Sequence, residues 1–157
     1  MLGSSDLVLV TGATGFTGRV LVRKLCSLGC RVRVFVRPSA DRSILADEPV
    51  EQIQGNVFDE QTVAAAVEDV QYIFHLAGAY RDAKASESWC ELVHVRSTQL
   101  LANAAIRNPR FKRFVHVSTV GVMGHITAPP ADETAPYNPS DAYQRTKAQA
   151  EQWLTEF

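Results

Sequence analysis

Apolar residues along this chain come in two rhythms. Short, near-continuous runs rich in Val, Ile and Phe occupy Leu7 to Thr11, Arg31 to Arg37, Gln71 to His75 and Arg113 to Ser118, as strands do when both faces of a parallel sheet are covered. Val50 to Gln54 mixes apolar with polar side chains and reads as an edge strand. Between the runs lie stretches of helical period at about Gly15 to Leu28, Ser39 to Ala46, Glu60 to Val67 and Ser86 to Arg107, with a last helix from about Ser140 onward. Strands alternating with helices predict an α/β fold: βαβ units with right-handed crossovers, giving a doubly wound parallel sheet of order 3-2-1-4-5 in three α/β/α layers. The segment from His125 to Pro139, with Pro129, Pro130, Pro136 and Pro139, is the one long irregular loop. Neither repeats nor low-complexity tracts appear.

A length of 157 residues, 46% of them hydrophobic and 21% charged, suits one domain with a single buried core. A formal net charge of −1 without runs of like charge gives no electrostatic support to a nucleic-acid or membrane-surface partner, so a small-molecule ligand is expected. Cys26, Cys30 and Cys90 are odd in number and lack paired metal-ligand spacing, which predicts reduced thiols, no metal site and a cytoplasmic protein. Met1 to Asp6 has no basic region followed by an apolar stretch, and no segment approaches the ~20 apolar residues of a bilayer span.

Chemistry first shows in Gly12-Ala13-Thr14-Gly15-Phe16-Thr17-Gly18, placed between a buried strand and an amphipathic helix. Gly12 allows a tight turn, Gly15 lets backbone approach a pyrophosphate at the helix start, and Gly18 permits close packing of the helix. The spacing is G-x-x-G-x-x-G rather than the usual dinucleotide G-x-G-x-x-G. Arg37 follows the second strand, where such folds present a residue to the adenosine ribose. Its guanidinium suits a 2′-phosphate, with Thr14, Ser39 or Arg42 as helpers, so NADP is expected before NAD; the bland alternative is a solvated arginine. Gly55-Asn56-Val57-Phe58-Asp59 and His75-Leu76-Ala77-Gly78-Ala79 close the third and fourth strands at the carboxyl edge, where ligands of such sheets sit. Asn56 is placed to meet an adenine amine, Asp59 to meet the ligand or cap the next helix, and His75 to pack at a strand end.

The second site lies in Tyr143-Gln144-Arg145-Thr146-Lys147 and the Ser118-Thr119 hydroxyls. A phenol with its ordinary pKa near ~10 is a poor base at neutral pH unless a cation stabilises its phenolate. Lys147, one helical turn after Tyr143, can supply that cation. Thr119, at the end of the fifth strand, can hold the substrate oxygen.

Together these residues resemble the extended short-chain dehydrogenase/reductases, a branch with nucleotide-sugar epimerases, dihydroflavonol reductases and 3β-hydroxysteroid dehydrogenases. The resemblance rests on Thr11 to Gly18, Gly55 to Asp59, His75 to Gly78, Val115-His116-Val117-Ser118-Thr119 with Gly124, and Tyr143 to Glu151. It implies a Rossmann-like NAD(P)-binding domain over 1–157 whose cofactor is held by Gly12, Thr14, Gly15, Phe16, Thr17, Gly18, Arg37, Asn56, Val57, Leu76, Ala77, Gly78, Tyr143 and Lys147. It further implies Tyr143 as general acid/base, Lys147 on the nicotinamide ribose, and Thr119 as the substrate-orienting hydroxyl with Ser118 as its substitute. His94 and Ser97 stand where a family segment has asparagine and glycine, Asn56 where many relatives have aspartate, and Val120-Gly121 where the dehydratases carry an Asp-Glu pair. A dehydratase is therefore disfavoured against an oxidoreductase or epimerase. A homodimer through the Ser86 to Arg107 and C-terminal helices is implied as well.

Members of this branch continue well past the Tyr/Lys helix, so the chain reads as truncated before the last strands, with the C-terminal substrate-binding part absent. Tyr80, Arg81, Met123, His125 and Tyr137 are the local candidates for substrate contact. The reading of another class is a non-catalytic NADP-binding sensor or scaffold module.

Overall fold

The structure, a computed structural model, describes residues 2–3, 5–79, 86–127 and 129–157. The chain groups into two compact units, Met1–Ala77 with Leu100–Val117 and Gly78–Gln99 with Ser118–Phe157.

The first unit is built on five parallel strands, β1 (Leu7–Thr11), β2 (Arg31–Val36), β3 (Val50–Gln54), β4 (Tyr72–His75) and β5 (Arg113–His116), in the expected order β3-β2-β1-β4-β5. β1 lies at the centre with all five residues buried. Because alternate strand side chains point to opposite faces, the sheet makes two cores. On one face Leu7, Leu9, Phe35 and Ile73 meet Val63, Ala66 and Val67 of α2 (Glu60–Val67) and Leu100, Leu101 and Ala105 of α4 (Ser97–Ala105). On the other, Val8, Val10, Val32, Val34 and Val36 meet Val22 and Leu25 of α1 (Phe16–Ser27). Each Val, Leu, Ile or Phe among them contributes about 1.5–3 kcal/mol when fully buried, so the three layers follow from where the large apolar side chains fall. β3 and β5 are the outer strands: β3 exposes Glu51, Gln52 and Gln54, as its mixed pattern predicted, whereas β5, expected to be covered on both faces, is only half-buried with Arg113 exposed because it has a neighbour on one side alone.

Local chemistry sets the element ends. α1 stops at Gly29, whose φ of 77° suits glycine, with Cys30 N–H donating back to the Leu25 carbonyl. Asp59 caps α2 by accepting the Thr62 N–H at 2.8 Å, which is the capping role weighed for it. The helix expected over Ser39 to Ala46 is only a 3-10 turn at Ser43–Leu45. Asp41 Oδ1 accepts both the Ser43 N–H and hydroxyl, offering the backbone a turn in place of a helix.

The second unit contains α3 (Glu87–Glu91), a π-helical segment Leu92–Arg96, the start of α4, a 3-10 turn Val120–Met123 and α5 (Ala142–Glu156). The single helix expected from Ser86 to Arg107 thus carries a π segment. There the Ser97 and Thr98 hydroxyls donate to the Val93 and His94 carbonyls, four residues back. The described residues between His125 and Pro139 are irregular, and Asn138 N–H donates to the Val122 carbonyl. The ion pair between Arg145 and Glu87, 2.9 Å, joins α5 to α3. Among the described residues no helix is long and apolar enough to cross a membrane.

Candidate functional site

In the first unit the glycine motif forms a turn that admits no side chain. Gly12 has φ 67°, and a Cβ there would stand 2.8 Å from the Leu76 carbonyl carbon and 2.9 Å from the Ala77 nitrogen. Gly15 N–H donates to the Gly12 carbonyl at 3.0 Å. A Cβ on Gly18 would stand 2.1 Å from that same carbonyl oxygen, so the third glycine packs α1 against the turn itself. Gly15 is the N-cap of α1, without a side-chain cap and without an acid in the first turn. Its neighbours Phe16 and Thr17 are exposed, and Thr14 is half-buried. Uncapped N–H groups at the positive end of a helix suit an anion, so this cradle fits a pyrophosphate.

Thr11, the last residue of β1, explains why Leu76 and Ala77 lie against the turn. Its Oγ1 accepts the Leu76 and Ala77 N–H groups at 3.2 and 3.1 Å and lies 2.7 Å from His75 Nδ1. A hydroxyl already accepting twice gives its own proton to Nδ1, which leaves the His75 ring proton on Nε2. His75 is thereby a buried structural histidine. Val57 is buried and Asn56 half-buried before α2, while Arg37, Ser39 and Arg42 are exposed beyond β2.

In the second unit α5 carries Tyr143 and Lys147. Its first turn is fixed by Asp141, which accepts the Gln144 N–H at 2.8 Å, and by Gln144 Oε1, which accepts from Ser140 N–H at 2.7 Å. Tyr143 stands edge-on to His94, ring centroids 5.1 Å apart at 87°. Lys147 is only 2% exposed. Burial pushes its pKa down to about 8, partly countered by the Glu151 carboxylate one turn on. Gly78 lies beside it: a Cβ there would make ordinary van der Waals contact, 3.8 and 3.9 Å, with Lys147 Cε and Nζ.

Thr119 caps the 3-10 turn by accepting the Gly121 N–H at 3.1 Å. The Ser118 hydroxyl oxygen is buried without a hydrogen-bond partner among the described residues. Both line a cavity of about 500 Å³ with Met123, Tyr137 and Glu151. His125 and Met123 line a second cavity of about 390 Å³. The other two substrate candidates, Tyr80 and Arg81, lie outside the described residues.

A model of the NAD dependent epimerase/dehydratase family matches residues 8–157. The chain belongs to this family. Sterol demethylase protein B of Methylococcus capsulatus is 35% identical over 148 residues, covering 91% of this chain and 44% of that protein. The 3β-hydroxysteroid dehydrogenase/Δ5→4-isomerase of Mycobacterium tuberculosis is 35% identical over 156 residues, covering 94% of this chain and 41% of that protein. A short-chain dehydrogenase/reductase superfamily protein of Agrobacterium tumefaciens, solved with bound NAD, superposes with a TM-score of 0.81 at 29% identity over 95% of this chain and 44% of its own. The chain therefore spans less than half the length of these relatives, and the resemblance to extended short-chain dehydrogenase/reductases holds over most of its residues.

Within this epimerase/dehydratase chain two residues carry weight that the motifs did not give them. Thr11 has no assigned role in the sequence, although a threonine closing a fully apolar strand was a signal that its hydroxyl must find partners. His94 is marked there only as a departure from asparagine. In the structure it is wholly buried, with Nε2 2.9 Å from the Ala79 nitrogen and Nδ1 2.7 Å from Thr146 Oγ1.

Proposed function

We propose that this chain is the cofactor-binding part of an NAD(P)-dependent oxidoreductase or epimerase of the extended short-chain type, with Tyr143 as its general acid/base. The observation that carries the reading is Lys147, buried on α5 one turn after Tyr143 with a pKa of about 8. An ammonium is costly to bury unless its charge is used. At neutral pH it is still protonated, ready to stabilise a phenolate at Tyr143 and to donate to a ribose hydroxyl.

A nicotinamide, when bound, supplies or accepts the hydride. The protein's part is the proton. In reduction the Tyr143 phenol gives its proton to the substrate oxygen, and in oxidation the phenolate takes it back. Thr119 or Ser118 orients that oxygen from the cavity shared with Met123 and Tyr137. The glycine turn takes the pyrophosphate, with Thr14, Phe16 and Thr17 around it, while Asn56, Val57, Leu76, Ala77 and Gly78 contribute to the adenine and backbone contacts. Arg37, exposed beyond β2, supports NADP over NAD because its guanidinium can pair with a 2′-phosphate. We also assign a small-molecule substrate, a cytoplasmic setting and a homodimer formed by α3 to α5, supported by Leu92 at 40% exposure and the stacked Trp153 and Phe157 rings. Light scattering showing a monomer at tens of micromolar would refute the dimer.

Calorimetric titration of the chain with NADPH and, separately, NADH tests the core of the reading. Binding of both with NADPH tighter is expected, and binding of neither overturns it. Tyr143→Phe is expected to abolish hydride transfer in the full-length protein, because the variant loses the titratable oxygen.

A further inference from the structure

We infer that His94 is a positioning residue: a neutral imidazole, protonated on Nδ1, that ties the Gly78–Ala79 backbone to the first turn of α5 and so sets where Tyr143 and Lys147 stand. The inference rests on the cofactor reading above and deepens it.

The assignment follows from which atoms can donate. A backbone N–H only donates, so His94 Nε2, 2.9 Å from the Ala79 nitrogen, must accept with its lone pair. A neutral ring then has its proton on Nδ1, which donates to Thr146 Oγ1 at 2.7 Å. Thr146 passes its own hydroxyl proton to the Ala142 carbonyl at 2.8 Å, in the turn that holds Tyr143. The Tyr143 carbonyl, 3.2 Å from Thr146 Oγ1, is a second acceptor for that hydroxyl in the same turn. An imidazolium would set N–H against N–H at Ala79, inside a site where His94 has no exposed surface.

The same ring fixes the two groups the chemistry needs. Its plane meets Tyr143 at 87°. A Cβ on Gly78 would stand 3.6 Å from His94 Nε2 and 3.9 Å from Lys147 Nζ, so the backbone held by His94 is the backbone against which Lys147 packs. The π-helical segment Leu92–Arg96 carries His94, and Thr98 Oγ1 accepts the duty of satisfying its carbonyl by donating at 2.6 Å. Asparagine could reproduce the pattern, with Oδ1 accepting from Ala79 and Nδ2 donating to Thr146, whereas leucine could do neither.

Two measurements test this on the chain labelled with 15N-histidine. Long-range proton–nitrogen correlation, with His94→Asn used to assign the signal, is expected to show the neutral Nδ1–H tautomer at pH 7; the Nε2–H tautomer or an imidazolium overturns the inference. In titrations with NADH and ADP, His94→Leu is expected to weaken NADH about tenfold while leaving ADP unchanged, because ADP does not use the Tyr143/Lys147 end. His94→Asn is expected to restore most of the NADH affinity. Wild-type affinity for NADH in His94→Leu, or equal losses for both ligands, overturns the positioning role. Should the leucine variant not fold, the tautomer and the asparagine variant decide. A wild-type chain that binds neither nucleotide refutes the cofactor reading, and with it the positioning role. The wrong tautomer in a chain that binds NADH refutes the role of His94 alone.

Discussion

Replacing Lys147 with methionine should make the protein more stable at neutral pH and useless to its cofactor. Lys147 is 2% exposed and its pKa is lowered from 10.5 to about 8 by burial. A lysine whose folded pKa lies below its unfolded value costs stability whenever both states are protonated. The cost is fully present below pH 8 and is relieved as pH rises from about 8 to 10.5, because there the unfolded chain binds the proton and the folded one does not. At about 1.4 kcal/mol per pH unit, this interval corresponds to about 3 kcal/mol. Methionine has similar length and no charge to desolvate. Urea unfolding followed by circular dichroism should therefore find Lys147→Met more stable than wild type by up to about 3 kcal/mol at pH 7, shrinking to about 1 kcal/mol at pH 10. Cys26, Lys112 and Tyr137, whose pKa values are raised, also titrate toward alkaline pH. They are common to both proteins and cancel in the difference. A variant less stable than wild type at pH 7, or a gap that does not change with pH, would refute the reasoning. If it holds, the lysine is retained against stability, as expected of a group kept for function.

Two further outcomes test the glycine turn. Gly18→Ala would place a Cβ 2.1 Å from the Gly12 carbonyl oxygen. Both are backbone-fixed, so a loss of about 3 kcal/mol and of NADH binding is expected; unchanged melting would contradict the packing described. Thr11→Val keeps the shape of the side chain but leaves His75 Nδ1 and the Leu76 and Ala77 N–H groups without the hydroxyl they share. A loss of about 2 kcal/mol in urea unfolding is expected, and a neutral result would remove Thr11 from its place as the joint between β1 and the segment after β4.

What the sequence determined by itself is what short-range physics encodes. Runs such as Leu7 to Thr11 read as covered strands and Glu60 to Val67 as a helix with Asp59 weighed as its cap, and their bounds agree with the structure. The sheet order followed from right-handed crossovers between parallel strands. The turn at Gly12 was legible because positive φ and the exclusion of Cβ are properties of a few adjacent residues. Competing local bonds could mislead the same reasoning: Asp41 turned Ser39 to Ala46 away from a helix, and Ser97 and Thr98 accompany the π segment in the long one. Only the tertiary structure decided which side chains meet across the chain. Thr11 reaches Leu76 and Ala77, and His94 joins Ala79 to Thr146. Ser118 and Thr119 share a cavity with Met123 and Tyr137, and Lys147 loses its water. Hydrophobic period records which face of an element is buried but not which partner it is buried against, and a pKa is set by that partner and by the solvent excluded with it.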